Sequence, residues 1–210
     1  MIVRPIAALA VALILVAGCT TRPPRVPRPA VFEVAVAQAE GPDDVATGVA
    51  LGPGCVLTVA HVLRGHAIGA RAYLRPPGAR SGGRAARVVA IDERDDLAIL
   101  AVPGLRARRA TIGSATGEAL ILKLRDGGVQ ALSARVLRSV TVRIRTPDGS
   151  RIVTRPALEL RAEVLPGDSG APVLSGDGRV AGIVFARTDF EPEIAFAVRA
   201  SVLGAFIKRR

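Results

Sequence analysis

Pro166-Gly167-Asp168-Ser169-Gly170-Ala171-Pro172 sets a serine between two glycines, with an acid before it, in an apolar and β-branched neighbourhood. A serine hydroxyl becomes a useful nucleophile only when a base takes its proton and donors stabilise the oxyanion its attack creates. Glycine on both sides allows a tight turn in which successive N–H groups face one small concavity. The matching base is a histidine elsewhere in the chain, held in one tautomer by a buried carboxylate. Only two histidines are available, His61 and His66.

His61 ends an apolar run, Leu57-Thr58-Val59-Ala60-His61-Val62, at the point where that strand emerges from the interior. That is where a site-facing base belongs, although the same placement also suits a packed core histidine. His66 follows Arg64-Gly65 and reads as an exposed loop residue. For the orienting acid, Asp92-Glu93-Arg94-Asp95-Asp96 stands at the mouth of the apolar strand Leu97-Ala98-Ile99-Leu100. Asp96 is the last acid before that strand, hence the one drawn inward, where a carboxylate needs a partner such as an imidazole N–H. Asp92 and Asp95 read as solvated loop acids.

The order His61, Asp96, Ser169 discriminates between folds. In α/β-hydrolases the histidine follows the nucleophile, and no histidine follows Ser169. A subtilisin-like order, from Asp43 or Asp44 through His61 to Ser169, would require alternating helices and parallel strands. The pattern is instead one of short strands cut by turns. The 210 residues include 22 Gly and 15 Pro, and with aromatics at 3% and no Trp the core must be Val, Ile, Leu and Ala.

Strands are predicted at 32–39, 47–51, 55–58, 70–74, 84–91 and 97–102. A second run follows at 118–124, 129–137, 140–145, 152–154, 158–164, 172–174, 179–185 and 194–198. Pro147-Asp148-Gly149 marks a hairpin turn in that run. Residues 201–210 predict a short amphipathic helix with Val202, Phe206 and Ile207 on one face and Lys208-Arg209-Arg210 at its end. The fold class is all-β, in two small barrels: an N-terminal barrel over 31–104, a C-terminal barrel over 105–200, and the helix over 201–210.

Thr58-Val59-Ala60-His61, Asp96-Leu97-Ala98-Ile99-Leu100 and Gly167-Asp168-Ser169-Gly170-Ala171-Pro172 resemble, in that order, the three catalytic blocks of the chymotrypsin-fold (trypsin-like) serine proteases. The likeness covers about Phe32 to Phe206. It is nearest to the bacterial, zymogen-free branch of HtrA-type and MarP-like enzymes. The resemblance implies two six-stranded antiparallel β-barrels, perpendicular to each other, with a protein or peptide substrate in the cleft between them. It makes Ser169 the nucleophile, His61 the base and then acid, Asp96 the orienter, and the N–H groups of Gly167 and Ser169 the oxyanion hole. It further implies a primary pocket with Glu163 at its base and Phe185, Ala186, Arg187 and Ala195 as walls. An acid at position 163 would suit a Lys or Arg side chain, unless Glu163 pairs with Arg161 or Arg187 or points outward.

Three departures qualify the resemblance. Ala171 replaces a glycine, which strains the turn if that position needs φ > 0. Phe185 stands where many relatives carry a serine that supports the catalytic Asp. No Ile-Val-Gly-Gly-like segment exists, so activation of the trypsin kind is not expected. A protein that keeps the scaffold for binding or sensing without turnover is the alternative reading.

Residues 1–18 read as a lipoprotein signal peptide, with Arg4, an apolar run from Ile6 to Ala17, and Val16-Ala17-Gly18 before Cys19. The run is shorter than the ~20 residues of a membrane span. Val16-Ala17-Gly18-Cys19 resembles a lipobox, which makes Cys19 the lipidation site. Residues 19–30 follow as a tether whose alternating Pro and Arg favour polyproline II. The expectation is a lipid-anchored protein of the bacterial envelope, facing the periplasm, and Thr20 after the cysteine points to the outer membrane.

The net charge of +11 comes mostly from arginines scattered through loops and strand faces, with no aromatics interleaved for base stacking. No nucleic-acid partner is expected. Two histidines and one remaining thiol, Cys55, make no complete metal-ligand set, and no cofactor is expected. Cys55 reads as a small buried apolar residue.

Overall fold

The computed structural model describes residues 28–37, 44–79, 82–146 and 149–209. The predicted signal peptide, Cys19 and most of the predicted tether lie outside these residues.

Among the described residues twelve strands form two closed antiparallel barrels of six, followed by one α-helix, as the resemblance implies. The first barrel comprises β1 (Val31–Val36), β2 (Asp44–Gly52), β3 (Cys55–Thr58), β4 (Arg71–Arg75), β5 (Arg84–Asp92) and β6 (Leu97–Ala101). The second comprises β7 (Gly117–Arg125), β8 (Gly128–Arg145), β9 (Ile152–Arg161), β10 (Pro172–Leu174), β11 (Val180–Arg187) and β12 (Ile194–Arg199). Helix α1 (Ala200–Lys208) closes the chain.

Register explains how distant residues meet. β3 pairs with β6 so that Thr58 lies opposite Ala98. Antiparallel strands run past each other, so the chain leaving β3 must lie beside the chain entering β6. The Ala60 N–H accordingly donates to the Asp96 carbonyl at 3.2 Å, and a short 3₁₀ turn begins at His61. Both central strands are apolar on both faces. Val56, Leu57, Leu97, Ala98 and Leu100 are fully buried, as expected where one face meets the barrel interior and the other is covered.

The second barrel departs from the predicted segmentation. Residues 129–137 and 140–145 belong to one 18-residue strand, β8, which continues through a bulge between Val136 and Arg138. The bulge inserts an extra residue without ending the ladder. Residues 152–154 and the start of 158–164 likewise form one strand, β9, despite Pro156. Pro156 lies beyond the last residue pair that joins β9 to β12, Ala157 with Val198, so one edge of the strand is free there. The long β8–β9 arm extends past its own barrel. Arg151 reaches Glu93 of the first barrel at 3.1 Å.

Helix α1 packs on β11 and β12 through Leu203 and Phe206, which are fully buried. The predicted apolar face, Val202, Phe206 and Ile207, is rotated from the true one: Val202 and Ile207 are only half-buried, and Leu203 fills the interior. Arg209 at the helix end pairs with Asp92 at 2.9 Å. Leu203→Ala is therefore expected to cost about 2–4 kcal/mol in urea denaturation, and Val202→Ala about 1 kcal/mol or less. Equal costs would mean that the helix seats on a different face.

Candidate active site

Asp96 closes the β5–β6 turn in the left-handed region, at φ 57°. Asp tolerates this conformation better than most residues. It aims the carboxylate back at the turn that follows β3. Oδ2 of Asp96 lies 2.8 Å from Nδ1 of His61, and Oδ1 accepts the His61 backbone N–H at 2.8 Å. The histidine is thus held at both ring and main chain, and among the described residues its second ring nitrogen makes no hydrogen bond. Asp96 is buried and His61 half-buried.

Ser169 comes to the same seam through the backbone. Its carbonyl accepts the N–H of Thr47 at 2.7 Å, and the Thr47 carbonyl accepts the Thr58 hydroxyl at 2.9 Å. Thr58 is three residues before His61. β2 pairs with β3 only from Val49 onward, which leaves an edge of Thr47 available for this contact. The serine side chain is half-buried, and Oγ makes no hydrogen bond among the described residues.

The turn holding Ser169 is rigid. The Asp168 N–H donates to the Leu165 carbonyl at 3.0 Å around Pro166 and Gly167, and Gly167 has φ 91°. Proline then glycine with positive φ is the signature of a type II turn. Asp168 is 1% exposed and fully engaged. It accepts the Leu165 N–H at 2.9 Å and pairs with Arg125 at 3.1 Å and Lys123 at 3.9 Å. Among the described residues, the N–H groups of Gly167 and Ser169 donate to no protein acceptor. Ala171 is buried without positive φ, so the strain that a methyl would suffer there does not arise.

The remaining predicted residues fall as follows. Glu163 is exposed and makes no ion pair with Arg161 or Arg187 among the described residues. Ala195 is fully buried opposite Arg187, Ala186 is half-buried and Arg187 exposed. Phe185 turns its ring into the junction between the barrels, 6.5 Å from Phe196. His66 is half-buried, and with His61, Glu93 and Arg151 lines a cavity of about 230 Å³ beside the imidazole. Asp92 and Asp95 are not simply solvated. Asp92 caps the Asp95 N–H at 3.1 Å and holds Arg209, while burial and then the Asp92 charge push the Asp95 carboxyl up. Cys55 is half-buried, and burial pushes its thiol up against the opposing charge of Arg109. Among the described residues no cluster of His, Cys, Asp and Glu suits a metal ion.

Arg125, Lys123 and Arg155 were not singled out from sequence. Each is one basic residue among 29. Arg155 did carry a signal, because a period of two puts it on the same strand face as Val153 and Ala157.

Two barrels with a histidine–carboxylate pair on one and a glycine-flanked serine on the other define a class. Residues 46–183 match the trypsin-like peptidase domain, and the chain belongs to that family. Serine protease Rv3671c of Mycobacterium tuberculosis is 32% identical over 166 residues, 73% of this chain and 39% of its own length. The chain thus spans about two-fifths of the length of the curated relatives it matches. The crystal structure of the active form of Rv3671c protease superposes with a TM-score of 0.75 at 28% identity, over 86% of this chain and 80% of that one. The HtrA-type protease AlgW with tripeptide shares the fold at a TM-score of 0.68 and 21% identity, over 87% of this chain and 60% of its own.

Gly170 carries the seam. It has φ 85°, and a Cβ there would lie 1.8 Å from the Thr47 carbonyl oxygen. Gly170→Ala is expected to lower the melting temperature by about 10 °C or more, or to prevent folding. Gly176 has open space around it. Gly176→Ala is the control, with an expected change within about 1 kcal/mol. A Gly170→Ala protein with wild-type melting would contradict this packing.

Proposed function

We propose that the protein is a serine endopeptidase working through Ser169, His61 and Asp96. The observation that carries this reading is the 2.8 Å contact between Asp96 and His61 Nδ1 in the barrel to which Thr47 ties the Ser169 carbonyl; among the described residues the serine hydroxyl and the N–H groups of Gly167 and Ser169 make no hydrogen bond. In acylation the Ser169 Oγ bonds to the substrate carbonyl carbon while His61 Nε2 takes its proton. The carbonyl π electrons move onto oxygen, where the N–H groups of Gly167 and Ser169 stabilise the charge. Collapse breaks the C–N bond, and the imidazolium passes its proton to the departing amine. Water then repeats the sequence on the acyl-serine and releases the acid. Asp96 orients the imidazole and stabilises the imidazolium.

Primary specificity is part of the proposal. Glu163, at the base of the pocket that the resemblance implies with Phe185, Ala186, Arg187 and Ala195, would favour a basic side chain before the cut. The protein is further proposed to be anchored through a lipid on Cys19, on the periplasmic side of a bacterial envelope and in the outer membrane. At ~3.1 Å per residue the Pro-rich tether would hold the barrels about 30 Å from the lipid surface.

A fluorophosphonate probe is expected to label the wild type but neither Ser169→Ala nor His61→Ala, while His66→Ala retains labelling. No labelling of the wild type favours the binding scaffold without turnover, and labelling lost only in His66→Ala would reverse the choice of base. In fractionated cells Cys19→Ser is expected to move the protein from the membrane to the soluble fraction or to leave an uncleaved precursor. Unchanged membrane partition would contradict the anchor.

A further inference from the structure

Arg155 is a buried arginine at the junction of the barrels. It belongs to β9 of the second barrel and is 4% exposed. A guanidinium removed from water needs acceptors for its N–H fork and a countercharge. Both come from the first barrel. Nε donates to the Arg94 carbonyl at 3.0 Å and Nη2 to the Glu93 carbonyl at 3.4 Å. Nη1 lies 3.6 Å from Oδ2 of Asp96, the oxygen that also meets His61. The guanidinium carbon Cζ lies over the Phe185 ring, 4.6 Å from its centroid, a favourable placement of a cation on a π system.

Phe185 has no donor to offer Asp96, and Arg155 uses its ring as a floor. The carboxylate is therefore held from three sides: main-chain N–H, imidazole and guanidinium. Burial pulls the Arg155 guanidinium below its ordinary range, while Asp96, then Asp95 and Asp92, pull it back up. An arginine remains charged through such shifts.

Taking His61 and Asp96 as the base and its orienter, we propose that Arg155 is a positioning residue for that pair. It fixes the carboxylate from the opposite barrel, and its charge offsets part of the negative charge that would otherwise favour the imidazolium. The other charges facing this cluster do not substitute for it. Arg209 from α1 is paired with Asp92, and Arg151 from the β8–β9 arm with Glu93. Asp95 adds negative charge beside Arg94, and Arg64 and His66 line the same cavity as His61, Asp96 and Arg155 without an ion pair to Asp96 among the described residues.

A neutral residue at 155 leaves Asp96 to stabilise the imidazolium without opposition, so the acid limb of the pH–rate profile should move up. The expected size for one charge at this range is about one pH unit. The test measures the second-order rate of fluorophosphonate labelling across pH for wild type, Arg155→Met and Arg155→Lys. Arg155→Met is expected to raise the midpoint of the acid limb by about one unit and to slow the plateau rate. Arg155→Lys, which keeps the charge but not the fork, is expected to hold the midpoint within about 0.3 unit. A purely structural arginine would lower the plateau in both variants and move neither midpoint, and that result overturns the proposal. If Arg155→Met does not fold, Arg155→Gln, able to reach the same carbonyls without charge, takes its place. If the wild type is not labelled at any pH, the protease reading fails by itself. The His61 proton resonance, titrated by NMR in wild type and the neutral variant, then decides the electrostatic claim: the same upward shift supports it and coincident curves overturn it.

Discussion

The hydrogen bond from the Thr47 N–H to the Ser169 carbonyl, 2.7 Å long, joins the two barrels at the point where chemistry is proposed to occur. Thr47 is 1% exposed and Thr58 fully buried, so these polar groups satisfy one another or go unsatisfied. Backbone contact this close leaves no room for a side chain at Gly170, which is why that glycine cannot be replaced without displacing the seam. Thr58 stands three residues before His61, so the contact that holds the Ser169 backbone is tied to the segment that carries the imidazole. The proposed site geometry is on this account a consequence of barrel docking.

The electrostatics follow the same design. Two buried acids, Asp96 and Asp168, lie in the candidate site, and each is met by basic side chains. Asp168 meets Arg125 and Lys123 within its own barrel, which locks the turn that presents Ser169. Asp96 meets His61 within its barrel and Arg155 from the other. An unmatched buried carboxylate would neutralise itself by taking up a proton, and would then lose the hydrogen-bond acceptors on which both arrangements rely. Part of the large arginine content therefore serves the interior.

Much of this could be read in the chain before any coordinates. An apolar strand ending in histidine, a turn acid before a second apolar strand, and a serine between glycines are local signals, and the alternation of short strands fixed two barrels. The misread parts were those set by contacts far apart in sequence. The predicted strands 152–154 and 158–164 leave Pro156 between them, yet β9 runs through it because its edge there is free. The helix face was placed on Val202 and not Leu203, because a nine-residue helix has too few turns to define its stripe. Arg155 escaped notice because its burial comes from an arm that crosses to residues about 60 positions away. Asp92 seemed a loop acid because Arg209, its partner, stands 117 residues downstream.

A crystal structure with a peptide boronic acid bound tests the central claim most directly. The account predicts boron bonded to Ser169 Oγ, one boron oxygen within hydrogen-bond distance of the Gly167 and Ser169 N–H groups, and the Thr47–Ser169 hydrogen bond intact. Boron bonded elsewhere, or a serine drawn away from Thr47 to reach it, would contradict a nucleophile positioned by the docking of the two barrels.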